Sequence, residues 1–562
     1  MAEADKIDTQ ITRVGEWVAG LRYSDLPASI VTLAKLQILN ILAGICAGAR
    51  STAGIRIIKA VGRTAAPGPC TALPHGEHVS LYDAIYLHAA LANALELDDL
   101  VYMGHVGQST VSVPLALAEM LGADAKTMLL AQVAAVEVSG RMGAYFATGP
   151  QQGHMRAYLH RTAGAVAAAK ILGLDGHRTA LALAIALSMP EFPLYPAAYS
   201  PDTKVLCTSA PSVEGVRAAF FAAEGLDAAL DILEHPVGFW AYLSYLKAVP
   251  QVWAHVGETW SLSALSCKIY AACAYAQGPI AAAQQVLEKG PLDPDSIERI
   301  QVRVPITTLT MESISAPHLG AGVTPVNTHF STRRSVAATL IYGPLTGDFF
   351  TPEVFDRWKL RIERLTSKIE LKNDWRMSID LIRGIDDALA GAGKPGPFGT
   401  SQTRRTFGKF KEAVGSKPLF TLLDIPEIIR LPASERNYLL KRMIRGLRSG
   451  LPFPSAAARK NYVSYEQDLS RFHFRQSGRI EVHLKDGSIL EGECRVPPGF
   501  AGDPDRADRV GQKFIREAAP LCGEAAAAEA MEKIQALPAS PIGPILASLS
   551  RKKGGAESGH DI

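Results

Sequence analysis

The stretch Asn93-Ala-Leu-Glu96-Leu-Asp98-Asp99 places three carboxylates within four residues, and His105 follows it between Gly104 and Gly107. A carboxylate beside an imidazole is a proton-transfer pair, and His is the side chain whose ordinary pKa lies near neutrality. The run closes an otherwise apolar segment expected to be helical over 81–97. Acidic groups at a helix C-terminus oppose the macrodipole and cost stability unless they are paired or used. An acidic surface cap beside a solvated His would read the same way. Four further positions carry candidate chemistry. His160 lies near the start of an Ala-rich helix, where a satisfied core histidine is the commoner case. Lys204 ends Ser200-Pro-Asp-Thr-Lys204, and Lys268 follows Ser266-Cys267. Arg333 and Arg334 open the helical-looking stretch Phe330 to Ala338, and two arginines entering an apolar helix suit anion binding. Each alone is compatible with an ordinary surface residue.

The elements that must position these residues change character along the chain. Ile30, Leu33, Ile38, Ile41, Leu42 and Ile45 recur near helical spacing after Ser24-Asp25-Leu26-Pro27, a helix-start signal. Further helices are expected over 81–97, 110–121, 126–147, 157–172, 178–188 and 212–224, with Gly122, Gly173 and Gly225 at ends. Their Ala-rich faces suit close packing, and also a high-GC genome. After Lys268, residues 296–304 alternate apolar and polar, as a half-buried strand does. Residues 366–371 form a second candidate strand. Residues 479–484, Lys485-Asp-Gly487 and 488–490 read as a hairpin around an Asp-Gly turn. Helix returns over 510–519 and 524–537. The expected fold is mainly α: a helical domain from 1–266 and 506–550, a smaller α+β lid over 267–505, and a disordered tail over 551–562. Within the lid, about 375–475 reads as an insertion. Ala390 to Phe410 is rich in Gly, Pro, Lys and Arg. Glu435 to Arg448 reads as a basic amphipathic helix with Leu439, Leu440, Met443 and Leu447 on one side. That block is either a solvated basic face or a cover or docking element for a partner that the sequence does not identify.

Composition excludes several classes. Lys and Arg total 58 against 55 Asp and Glu among 562 residues, a net charge of +3, so no nucleic-acid partner is expected. Hydrophobic residues make up 48% and charged ones 20%, which is globular composition. No uninterrupted apolar run reaches membrane-spanning length, and the polar, acidic N-terminus is not a secretory signal. Seven cysteines with no Cys-x-x-Cys spacing point to a reducing cytoplasm and away from a zinc or iron–sulfur site.

Taken in order along the chain, Leu91 to Asp99, Val113 to Glu119, Glu137 to Met142 and Ala167 to Leu174 resemble the MmgE/PrpD family. So do Lys268 in its Cys-Lys-x-Tyr context, Phe330-Ser331 with Val336 to Ala338, Leu484 to Gly487, and Lys513-Phe514. That family includes 2-methylcitrate dehydratase, cis-aconitate decarboxylase and iminodisuccinate epimerase. The resemblance spans the chain except about 375–475. It implies a helical domain, an inserted α+β lid, a cleft between them, a homodimer, and no metal or organic cofactor. It also implies small di- or tricarboxylate substrates and proton transfer next to a carboxylate. His105 and His160 fall on the family's active-site positions as proton-transfer groups, with Glu96 and Asp99 beside them. Lys204 and Lys268 fall on positions that hold substrate carboxylates, and Arg333 and Arg334 add positive charge. The chain departs from the family's His-x-x-Asp-x-Asp-Asp-Thr, which here is Asn93-Ala-Leu-Glu96-Leu-Asp98-Asp99-Leu100. It also has His105-Val106 for His-Pro and Arg333-Arg334 for Pro-Tyr. The expected function is a cofactor-independent lyase of dehydratase type on a small anionic substrate. An epimerase or decarboxylase, or a catalytically degenerate binding protein, are the alternatives.

Overall fold

A computed structural model describes residues 8–102, 104–143, 157–191, 194–243, 253, 256–389, 425–448 and 469–550. The expected tail 551–562, the segment Ala390 to Phe410 and the end of the 126–147 helix lie outside the described residues. The chain is mainly α. Its first part runs α1 (Gln10–Gly20), α2 (Ala28–Ala49), α3 (Thr52–Gly62), β1 (Pro67–Ala72), β2 (Glu77–Val79), α4 (Leu81–Asn93), β3 (Asp99–Val101), α5 (Gly107–Leu121), α6 (Ala125–Gly143), α7 (Ala157–Ile171) and α8 (Gly176–Ser188). Then come α9 (Tyr195–Tyr199), α10 (Ser209–Ala223), α11 (Phe239–Leu243) and β4 (Leu265–Cys267).

Helix α2 is the axis of this assembly. It is long and apolar enough to cross a membrane by length and composition, yet 78% of that window is buried inside the protein. Residues Leu36 to Ala49 are buried on every side, as expected of a helix apolar all round. Each fully buried Ile or Leu there contributes about 1.5–3 kcal/mol. Gln37 and Asn40 are the polar exceptions, both wholly inaccessible, and both serve the candidate site. Helix α7 is buried from Ala157 to Ala169 and packs against α6 and α10.

The second part contains α12 (Gln277–Glu288), β5 (Ile297–Val304), α13 (Ile306–Ser315), α14 (Pro325–His329), α15 (Thr332–Tyr342), α16 (Pro352–Thr366), β6 (Ile369–Asn373) and α17 (Trp375–Leu389). It continues through α18 (Ile425–Arg430), α19 (Ala433–Arg448), β7 (Gly478–Leu484) and β8 (Ile489–Cys494). The four strands form one sheet in the order β6-β5-β7-β8, with β5 and β6 parallel and the other pairs antiparallel. Ile300, Val302, Ile480 and Val482 are buried, and α12 packs on β7 and β8. The Asp-Gly hairpin joins β7 to β8. The strand expected from 366 starts only at Ile369, because Thr366 still closes the amphipathic helix α16. The last helices among the described residues are α20 (Arg506–Cys522), α21 (Glu524–Gln535) and α22 (Gly543–Leu549), and α20 packs along α2.

Two local features differ from expectation. Helix α4 stops at Asn93, so Glu96, Asp98 and Asp99 do not sit on a helix end. Glu96 has φ 55° and Asp99 begins β3. The expected macrodipole penalty is replaced by the cost of a non-glycine residue in left-handed backbone, of order 1–3 kcal/mol. The ends of the 375–475 block are also not peripheral. Leu381, Leu469, Phe472 and Phe474 form a cluster with Leu100, Tyr102 and Phe500, directly against β3.

Candidate active site

The short ladder of β3 with β4 assembles the site. Asp99 faces Cys267 and Leu100 faces Ser266, and one step further the Lys268 N–H donates to the Asp98 carbonyl at 3.1 Å. The ladder therefore places Asp98 and Lys268 side by side. Lys268 Nζ lies 2.5 Å from Asp98 Oδ1 and 2.6 Å from Glu96 Oε2. The other Glu96 oxygen is held by Lys204 Nζ. Lys204 Nζ also donates to the Asn93 carbonyl and Asn93 Oδ1, each at 3.0 Å, so all three of its N–H groups have protein acceptors. The Phe330 ring covers that ammonium, 5.4 Å from the ring centre. Glu96, Asp98, Asp99, His160, Lys204 and Lys268 are at most 2% exposed, and His105 is 7% exposed.

A tight turn then delivers His105. Val101 and Gly104 exchange backbone hydrogen bonds, and Tyr102 has φ 56°. Gly104 lies against Gly143 of α6, where a Cβ on Gly143 would fall 2.8 Å from the Gly104 Cα. His105 Nδ1 sits 2.7 Å from Asp98 Oδ2. A carboxylate at Nδ1 fixes that nitrogen as the donor and makes Nε2 the basic one. Burial works against an ionised Asp98, but Lys268 and His105 override it and hold its carboxyl well below the usual range.

The first turn of α5 ties this loop to the rest. Gly107 N–H donates to Asp99 Oδ1 at 2.9 Å, and Gln37 Nε2 donates to Asp99 Oδ2 at 2.6 Å. Gln108 Nε2 donates to Asp98 Oδ2 at 2.6 Å. Ser109 Oγ lies 2.9 Å from His160 Nδ1 and 3.1 Å from the Val106 carbonyl. If the single hydroxyl proton goes to Val106, His160 Nδ1 is the donor and Nε2 its basic nitrogen.

Glu96, Lys204, Lys268 and His105 thus form one contact chain through Asp98, and His160 joins it through the first turn of α5. Asp99 does not. Asp99, expected beside the proton-transfer groups, opens β3 and anchors α5 through Gly107 and Gln37, while Asp98, the residue just before the strand, meets His105. Burial, with Asp98 next to it, raises the Asp99 pKa to about 6. The two arginines also stand apart. Arg333 is exposed and Arg334 is half-buried on the first turn of α15, and among the described residues neither bonds to the cluster. Helical spacing turns Val336 to Ala338 inward and leaves Arg333 outside.

Several residues went unassigned in the sequence. Asp98 and Gln108 complete the His105 environment. Lys513 of α20 reaches the carbonyls of Leu97 and Lys268. His329 is 1% exposed, and its Nδ1 meets the Ala271 carbonyl at 2.6 Å. Burial lowers its pKa to about 3.

Glu96, Asp98 and His105 converge closely enough to suggest metal ligands, with donor atoms within 4.8 Å of one another. The Lys268 ammonium, however, already stands between the two carboxylates, and Lys204 neutralises the remaining Glu96 oxygen. A divalent ion there would face two ammonium groups, so the donor set does not fit one. What the arrangement provides is a buried carboxylate–imidazole pair beside two lysines.

The MmgE/PrpD N-terminal domain family matches residues 12–250 and the MmgE/PrpD C-terminal domain family matches residues 270–383. The chain is 26% identical over 297 residues to a cis-aconitate decarboxylase of Aspergillus terreus, covering 49% of this chain and 59% of that protein. It is 28% identical over 309 residues to the cis-aconitate decarboxylase of Homo sapiens, covering 51% and 61%. A cis-aconitate decarboxylase-like protein of Aspergillus oryzae is 23% identical over 367 residues, covering 60% and 75%. The chain thus matches about three-fifths of the length of the A. terreus and human proteins.

Proposed function

The chain belongs to the MmgE/PrpD family, and from that premise we propose that it is a lyase acting on a small di- or tricarboxylate, with His105 moving the proton. The observation that carries this reading is the 2.7 Å contact between His105 Nδ1 and Asp98, buried beside two lysines. Asp98 stays ionised and stabilises the imidazolium that forms when Nε2 takes a proton. Lys204 and Lys268 bring positive charge to the place where a substrate polyanion and its carbanion must be stabilised. Because Glu96 occupies both ammoniums, a substrate carboxylate binds by taking over one of its contacts. His160 serves as the second proton-transfer group.

The relatives' names move the weight from dehydration, expected from the sequence, to decarboxylation. In that reaction the carbon–carbon bond to one carboxylate breaks, carbon dioxide leaves, and the electron pair remains on carbon next to an unsaturated carboxylate. The His105 imidazolium then delivers its proton to that carbon. The test is incubation with cis-aconitate and related polycarboxylates in deuterated water, followed by proton NMR. Carbon dioxide release with one deuterium in the product supports the proposal. Water loss or epimerisation without carbon dioxide would move the reaction elsewhere in the family. A folded protein that alters none of the compounds would sink the enzyme reading.

A further inference from the structure

We infer that Lys513 is a positioning residue for this site: its ammonium clamps the end of the β3–β4 ladder and so sets where Glu96, Asp98 and Lys268 stand. Lys513 lies on α20 and is completely buried. Its Nζ donates to the Leu97 carbonyl at 2.6 Å, to Asn40 Oδ1 at 2.7 Å and to the Lys268 carbonyl at 2.9 Å. Leu97 is the residue between Glu96 and Asp98. Lys268 is therefore fixed twice through its backbone, its N–H by the Asp98 carbonyl and its carbonyl by Lys513. Asn40 ties the same ammonium to the central helix α2.

The choice of lysine is informative. A tetrahedral ammonium offers three donors, and here three acceptors from three separate segments meet them. A neutral amide has only two N–H donors. All three acceptors are neutral, so no carboxylate hydrogen-bonds to this buried charge, and burying a charge in that way is costly. Burial lowers the Lys513 pKa to about 7. The three charge-assisted bonds offset part of that cost, and all three stand only while the amine keeps its proton, below that pKa. A tie used only to hold α20 against α2 would not need them, because the two helices already pack along each other and α20 buries apolar side chains such as Phe514. The feature that needs three fixed acceptors is the ladder end, where a shift of a few tenths of an ångström would move Asp98 relative to His105.

The inference uses the proposed function only for its kinetic arm. The experiment compares full-length parent, Lys513→Met and a destabilised control, Ile534→Ala, whose side chain is buried on α21. The primary readout is the low-field proton resonance of the His105 Nδ1–H bonded to Asp98, assigned by its loss in His105→Gln. Lys513→Met is expected to keep its helical circular dichroism while this resonance shifts or disappears. Its kcat is expected to fall at least tenfold with KM within about threefold. Ile534→Ala, although less stable, keeps the parent resonance. A Lys513→Met protein with parent resonance and parent rate would overturn the assignment. Should that variant fail to fold, Lys513→Gln, which retains up to two of the three donors, is judged by the same two outcomes. If the parent turns over no polycarboxylate, only the proposed function falls, and the resonance still decides the role of Lys513.

Discussion

Lys268 Nζ lies between Glu96 Oε2 and Asp98 Oδ1, at 2.6 and 2.5 Å, although Glu96 and Lys268 are 172 residues apart in the chain. The contacts of Lys204 and His105 branch from this one. It keeps Asp98 ionised for His105, and it shares Glu96 with Lys204. The cluster is consequently close to charge balance before any substrate arrives. That makes substrate binding an exchange of carboxylates rather than the filling of an empty cationic pocket.

The proton-transfer role of His105 is open to direct test. His105→Gln keeps the approximate size and a hydrogen bond to Asp98 but removes the basic nitrogen. Loss of a general acid–base group costs about 100- to 10,000-fold in rate. We expect kcat to fall by that much with KM changed only a few-fold, measured by proton NMR on whichever polycarboxylate the parent consumes. A variant within a few-fold of parent would remove His105 from the reaction.

The exchange idea predicts an unusual phenotype for Glu96→Gln. The amide leaves the buried Lys204 ammonium with no carboxylate partner among the described residues, while Lys268 keeps Asp98. Breaking a buried ion pair on one side costs about 3–5 kcal/mol, so the melting temperature should drop. An added tricarboxylate then replaces the missing charge, and its stabilising effect should be larger on the variant than on the parent. Thermal shift with and without cis-aconitate reads this directly, and an equal shift in both proteins would count against exchange.

Gly107 should tolerate no side chain. A Cβ there would lie 2.4 Å from Asp99 Oδ2 and 2.6 Å from the Ile41 Cδ1. Gly107→Ala must push Asp99 off the backbone N–H it accepts, and overpacking of this kind costs about 1–3 kcal/mol. The matched control is Gly20→Ala at the end of α1, where nothing lies within 4 Å. Denaturant titration should show a loss for the first and none for the second.

Acid sensitivity should come in part from buried neutral imidazoles. Burial lowers the pKa of His88 to about 4 and of His329 to about 3. Between those values and about 6.5 the unfolded chain binds protons that the folded protein does not, so stability is full above 6.5 and falls as pH falls. Asp99 acts in the opposite sense. Its raised pKa lets the folded protein keep a proton, between about 6 and 3.8, that the unfolded chain has lost. We expect His329→Gln to narrow the difference in denaturation midpoint between pH 7 and pH 5. An unchanged difference would show that His329 already ionises in the folded protein.

Periodicity made the helices legible before any coordinates: α5, α6, α7, α8 and α10 lie within a few residues of their expected spans, as does the Asp-Gly hairpin. Hydrophobic spacing is a local property, and a helix or hairpin can be read from neighbours in the chain. His105, His160, Lys204, Lys268 and Glu96 were also visible as residue types, because few side chains can transfer a proton or neutralise a carboxylate. Which of them meet was a different matter. Choosing Asp98 over Asp99 depended on a three-residue ladder that begins at Asp99 and whose partner strand lies far away in sequence. The end of α4 at Asn93 depended on Glu96 adopting left-handed backbone, which no propensity favours and which the two lysines hold in place. Lys513-Phe514 is legible as part of the family resemblance, with no role attached to the lysine. Its task became evident only once α20 returned to α2 and brought the ammonium within reach of the Leu97 and Lys268 carbonyls. Local patterns determine elements because their energetics act between near neighbours. The site depends on charges and carbonyls brought together from distant segments, and only tertiary packing decides those distances.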